Sequence, residues 1–177
     1  MLTAMSKQPT AIVTSDSRLQ AWANAVALAG TLVVNSLANL LPMNGQTPSE
    51  IAARFPVYFV PADFTFGIWG LIYLALISFV VYPLVAWQEA HPAVGRIGWL
   101  FVLSCFGNAA WVIAWQYNYF TFSLVFMFIM VASVAAISVQ LGINRSSVDP
   151  RERWIVHAPV SLYLGWLTVA AISNLSC

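Results

Sequence analysis

Charge is what this chain has least of. Lysine, arginine, aspartate and glutamate make up 7% of its 177 residues, against about 25% in a soluble domain. So little charge cannot cover a water-facing surface. The net charge of +1 supplies no basic patch, which excludes nucleic acid as a partner. Cysteine is nearly absent. Cys105 and Cys177 lie in or at the end of apolar runs without CxxC spacing, so neither a disulfide framework nor a metal site is indicated. The two histidines, His91 and His157, share no metal-ligand spacing. Acids are as sparse: Asp16, Glu50, Glu89, Asp149 and Glu152 fall in loops or the N-terminal tail, and Asp63 falls where a helix cap is needed. No carboxylate pair and no ionisable group at a helix centre remain for hydrolysis, group transfer or ion-coupled pumping. The first twenty residues lack the charged start, apolar core and cleavage site of a signal peptide, and are expected to form a short disordered tail.

What is present is apolar length. The chain is 60% hydrophobic and 14% aromatic, with a mean hydropathy of +0.80. Five runs, about residues 21–41, 63–84, 97–115, 120–141 and 154–174, each approach the roughly 20 apolar residues of a transmembrane helix. The expected fold is therefore all-α, a polytopic membrane protein with one five-helix transmembrane domain over residues 21–177. Pro42-Met43-Asn44-Gly45 closes the first run as a turn cluster. Only Tyr117-Asn118-Tyr119 separates the third from the fourth, which predicts a tight antiparallel hairpin. Lys7, Arg18, Arg96, Arg145, Arg151 and Arg153 fall on one side of this threading and only Arg54 on the other. That bias predicts a cytoplasmic N-terminus and an external C-terminus.

Polar groups inside the apolar runs carry the functional signal. Asn35 and Asn39 stand four apart on one face of the first helix, and Asn108 lies mid-way along the third, followed by Trp111 and Trp115 at one-turn intervals. An unpaired amide costs several kcal/mol in hydrocarbon, so these must face a neighbouring helix or a ligand; interhelical hydrogen bonding is the better account of Asn35 and Asn39, and the two readings are balanced for Asn108. Of eight tryptophans, Trp22, Trp87, Trp99 and Trp154 lie near helix ends, as an interfacial belt requires. Trp69, Trp111 and Trp166 lie inside helices. Bundle packing would explain them, but buried indole N–H groups seek partners, and aromatics around a cavity suit a flat, apolar ligand. Small-residue pairs at Ala23/Ala27, Ala132/Ala136 and Ser161/Gly165 permit close helix approach or dimerisation.

Three motifs appear in order. Pro61 precedes Trp69 and Tyr73 at the second helix, and Asn108-Ala109-Ala110-Trp111 occupies the third. Pro159-Val160-Ser161-Leu162-Tyr163-Leu164-Gly165-Trp166, then Ala170 and Asn174, occupies the fifth. In these the chain resembles the TspO/MBR family of translocator or tryptophan-rich sensory proteins, as a divergent bacterial-type member. Where that family has paired prolines before the second helix, this chain has Val60-Pro61, with Asp63 at the second Trp position. The resemblance implies an aromatic cavity between helices that binds protoporphyrin IX or haem, with no cofactor required. The ligand-binding residues it implies are Trp69, Tyr73, Asn108, Trp111, Tyr163 and Trp166. The protein would act as sensor, carrier or scavenger in the bacterial inner membrane, with membrane lipid, tetrapyrrole and a second copy of the chain as partners. Two other readings stand beside this one. The chain could be an accessory subunit of a larger membrane complex, with His157 as a pigment's axial ligand. It could also be an enzyme of light-dependent porphyrin breakdown, with Trp69 and Trp166 as its photochemical residues.

Overall fold

A computed structural model describes residues 15–41, 44–55, 67–86 and 93–176. Within them every regular element is helical. Helix α1 (Ser15–Leu40) is followed by a short α2 (Pro48–Ala52), then α3 (Ile68–Val85), a single turn α4 (93–97), α5 (Leu100–Gln116) and α6 (Phe120–Gln140). The last element starts as α7 (Pro150–Glu152), widens through a π turn (Arg153–His157) and continues as α8 (Ala158–Leu175). Four of these helices are long and apolar enough to cross a membrane, and α5 is a shorter apolar fifth.

The helix boundaries depart from the sequence expectation where local chemistry intervenes. Helix α1 starts at Ser15, so residues 15–20 are helical rather than part of a tail. The third run is broken near its start because Gly98 adopts φ +55, a left-handed conformation open to glycine; α4 ends there and α5 begins two residues later. At 17 residues and about 1.5 Å per residue, α5 alone spans roughly 26 Å, just under a bilayer core. Asn118, at φ 61, turns the chain tightly from α5 into α6. The last helical element is entered at Pro150, four residues earlier than its apolar run suggests. Asp149 caps the first turn through its carboxylate and the Arg151 N–H, and Pro150 at the first position needs no donor. The approach to the second helix (Pro61, Asp63), and Lys7, Trp87, His91 and Cys177, lie outside the described residues.

The five long helices pack as a closed ring: α1 on α5, α5 on α6, α6 on α8, α8 on α3, and α3 back on α1. The tightest seam is α5 against α6. A Cβ at Gly107 would lie 3.0 Å from Met130 Cγ and 3.4 Å from the Phe126 carbonyl. Glycine there lets two backbones approach, which is how helices associate where the surroundings are as apolar as the interface. Met127, Met130, Ile137, Ile72 and Leu167 fill the interior. The outside is apolar as well, with Val26, Val33, Leu74, Phe106, Phe122 and Phe128 all exposed. Helices apolar on every side belong in lipid.

Candidate functional site

The first half of the candidate site is a wall of rings. One turn apart on α3, Trp69 and Tyr73 stack with centroids 5.5 Å apart. Across from them on α5, Trp111 stacks on Trp69 at 6.1 Å and on Trp115 at 6.1 Å. From α8, Trp166 meets Trp69 edge-on at 6.1 Å and Tyr163 does so at 6.4 Å. Trp69 is thus the hub, touched by four aromatic rings from three helices. Offset and edge-on pairs of this kind are worth about 0.5–1.5 kcal/mol each beyond burial, so the wall holds its own geometry.

In front of the wall is a cavity of about 430 Å³ between α1, α3, α5 and α2. Trp69, Tyr73 and Trp111 line one side; Asn35, Asn39 and Pro48 line the other. Its polar equipment is unusual for hydrocarbon depth. The Trp111 Nε1 and Tyr73 hydroxyl atoms are buried without a hydrogen-bond partner, as is Trp166 Nε1 behind the wall, although the Asn108 amide lies close to Tyr73. Buried polar atoms are nearly always paired, and an unpaired one costs about 1–3 kcal/mol.

Behind the wall, a buried polar chain ties four helices together. The Asn35 amide donates to the Thr31 carbonyl at 2.9 Å and to Asn108 Oδ1 at 2.8 Å. Asn108 Nδ2 donates to the Tyr163 hydroxyl at 3.3 Å, and that hydroxyl donates to Met130 Sδ at 3.7 Å. Thr31 Oγ1 adds a bond to the Cys105 carbonyl at 3.2 Å. The Asn35–Asn108 and Tyr163–Met130 links join neighbours in the ring and the Asn108–Tyr163 link crosses it from α5 to α8, so this chain fixes the angle at which Trp69, Trp111 and Trp166 meet.

Pro48, within the described residues 44–55, lies at the cavity's end, and α5 holds that segment by its backbone. Trp115 Nε1 donates to the Pro48 carbonyl at 3.1 Å. Gln116 Nε2 donates to the Ala38 carbonyl at 2.6 Å and the Gln46 carbonyl at 3.4 Å, while Asn44 Nδ2 donates to the Gln116 carbonyl at 3.1 Å. Arg54 reaches Asn118 Oδ1 at 2.7 Å. The segment is stiffened internally by a capping box. Glu50 Oε2 accepts from the Thr47 N–H at 2.7 Å and from its hydroxyl at 3.0 Å, and the Glu50 N–H donates to Thr47 Oγ1. Those bonds, backbone first, hold the exposed Glu50 carboxyl below its ordinary value of 4.5.

All six residues expected at the site meet in this one region, in two layers. Trp69, Tyr73 and Trp111 face the cavity, whereas Asn108, Tyr163 and Trp166 stand behind and hold them. Asn35 and Asn39 are both helix glue and cavity lining, with Asn39 Nδ2 bonding back to the Asn35 carbonyl at 2.8 Å. His157 is at the other end of α8 and lines a different cavity. Sequence reasoning missed Gln116, Thr31 and Met130. Thr31, four residues before Asn35 on the same face, could have been found by its spacing; Gln116 and Met130 become meaningful only through their spatial neighbours.

The arrangement defines a class: a polytopic helical membrane protein with an aromatic, amide-edged cavity enclosed between its helices. The family model described as TSPO-like protein matches residues 21–177, and the chain belongs to that family. It is a TspO-type integral membrane protein. No curated protein matches the chain, and no solved structure does.

Proposed function

We propose that this cavity binds a tetrapyrrole and that the protein serves as its sensor, carrier or scavenger. The observation that carries the reading is the Trp69 hub: a flat aromatic wall beside a cavity of about 430 Å³, within the roughly 300–1,000 Å³ of small-molecule sites. A planar macrocycle laid on Trp69 and Trp111 gains dispersion over its whole face. The unpartnered Trp111 N–H and the Asn35 and Asn39 amides suit the carboxylates or ring nitrogens at its edge. No imidazole, thiol or thioether occurs among the described residues lining the cavity. Protoporphyrin IX needs no axial ligand, and for haem the unpartnered Tyr73 hydroxyl is the oxygen ligand this lining offers.

The test is titration of the detergent-purified protein with protoporphyrin IX, following tryptophan quenching and the Soret shift. Saturable binding that weakens in Trp69→Ala and Trp166→Ala supports the reading; wild-type affinity in both variants overturns the site. The same preparations address the enzymatic reading. Trp69 and Trp166 in edge contact form a donor pair beside an excited macrocycle, so a light-dependent product that needs both residues would move the protein from binder to enzyme.

A further inference from the structure

The other end of the bundle carries a second cavity, of about 480 Å³, between the loop after α6 and the first turns of α8. Asn144, Ser146, Arg153, Trp154, His157 and Ser161 are among its lining residues. The backbone is built for it on both sides. Gly142 and Asn144 adopt φ +65 and +64, folding the loop back on itself, and Ser146 Oγ donates to the Gly142 carbonyl at 3.0 Å. On the helix side, Pro159 has no N–H and its ring would crowd the carbonyl four residues back. The helix widens just before it, and the Ala158 N–H bonds the Arg153 carbonyl five residues away. π turns concentrate at functional sites because the added residue re-aims side chains. Here Val156 enters the core while Arg153, Trp154 and His157 line the cavity.

Charge in this cavity is unbalanced. Glu152 is committed to Arg96 at 2.8 Å, and the Asp149 carboxylate caps the Arg151 N–H at 3.1 Å. Among the described residues no carboxylate pairs with Arg153, which is exposed. His157 is only 6% exposed; its Nε2 has no hydrogen-bond partner and stays 3.9 Å from Glu152 Oε1. A guanidinium, an imidazole and an amide around one space form a donor set for a phosphate, while the Ser146 and Ser161 hydroxyls beside them already donate to the Gly142 and His157 carbonyls. Trp154, 75% exposed beside them, is the residue type of the headgroup layer. Past the cavity mouth, Ser161 and Gly165 are exposed on α8, and nothing lies within 4 Å of a Cβ built on Gly165. That leaves a shallow track in which an acyl chain can lie.

We propose that this cavity is a binding site for the phosphate headgroup of an anionic phospholipid, held by Arg153 with His157 and Asn144. A free phosphate shares the donor chemistry, but the exposed Trp154 and the open track along α8 favour the lipid. The site is separate from the aromatic cavity and does not depend on what that cavity binds.

The test is thermal unfolding of the purified protein, followed by tryptophan fluorescence, with dihexanoyl phosphatidylglycerol, dihexanoyl phosphatidylcholine or inorganic phosphate at matched concentrations. Phosphatidylglycerol is expected to raise Tm saturably, and the other two much less. Arg153→Gln, at an exposed position that tolerates the change, should weaken the phosphatidylglycerol effect about tenfold. His157→Gln should weaken it by a smaller factor, and Arg145→Gln by no more than about twofold. An equal response to phosphatidylcholine overturns headgroup recognition, and an equal response to inorganic phosphate overturns the lipid in favour of a soluble anion. Arg145→Gln matching Arg153→Gln would reduce the site to diffuse surface charge and overturn it as well.

Discussion

The two ends of this bundle enclose spaces of similar size with opposite chemistry. At one end, between α1, α3 and α5, about 430 Å³ is walled by indoles and edged by neutral amides. At the other, beside the start of α8, about 480 Å³ is lined by a guanidinium, an imidazole and hydroxyls. The first is rigid because its rings brace one another and a four-helix hydrogen-bond chain backs them. The second is shaped by backbone irregularity, a π turn and two left-handed loop residues. Volume alone therefore says little about a membrane protein's cavity. Neutral aromatic walls suit a flat apolar body, and an unpaired guanidinium suits an anionic group at the interface.

The sharpest way to break this contrast is to substitute at one end and measure at the other. Trp69→Ala removes the ring that four others touch, a loss on the scale of a binding hot spot, about 2 kcal/mol or near thirtyfold in Kd for protoporphyrin IX. Arg153→Gln should leave that Kd unchanged; equal losses in fluorescence titrations would mean the two ends act as one site. Next in size is Asn108→Leu, which strands the Asn35 amide and leaves the Tyr163 hydroxyl without its donor. Interhelical hydrogen bonds in membranes average about 0.6 kcal/mol and reach about 1.7, so a stability loss of about 1 kcal/mol is expected in reversible unfolding, together with weaker porphyrin binding. His157→Gln at the other end should not weaken porphyrin binding.

Trp115→Phe keeps the stacked ring and deletes only the N–H to the Pro48 carbonyl, an effect of about 1 kcal/mol confined to the closing segment. Faster amide exchange over residues 44–55, with α8 unaffected, is the expected readout; unchanged exchange would mean that the Gln116, Asn44 and Arg54 bonds suffice to hold the segment. Acid should have the smallest effect. Glu50 is depressed below 4.5 by its bonds to Thr47. Its contribution to the capping box is complete above that value and fades as pH falls through the lower folded-state value. Residues 47–52 should therefore become more exchange-labile as pH falls below the ordinary carboxyl value of 4.5, whereas the aromatic wall, which has no carboxylate, stays closed.

Much of this was legible in the residues because membrane helices announce themselves by length. The five apolar runs became the five long helices of the ring, and the internal tryptophans and Asn108 converged because polar and aromatic groups inside such runs have few places to go. Local breaks were less visible. Gly98 looks like any glycine in a glycine-tolerant membrane helix, and the widening ahead of Pro159 depends on how one ring meets one carbonyl. Contacts made by backbone carbonyls were invisible, since the Gln116 bonds to Ala38 and Gln46 involve acceptors that every residue carries. His157 illustrates the same limit. Its sequence position suggests a cap or a metal ligand, and only the fold shows that it shares a cavity with Arg153.

The aromatic cavity is capped at its end by the Pro48 segment, yet its lining includes exposed residues on the flank of the bundle, Ser36, Leu40 and Gly70. A hydrophobic molecule can therefore arrive sideways from the acyl-chain layer. The bilayer then acts as the reservoir, and the concentration that governs occupancy is moles of ligand per mole of lipid rather than per litre of water. Apparent affinities measured at different detergent loads will differ by the dilution of that reservoir, and they become comparable when expressed as mole fractions.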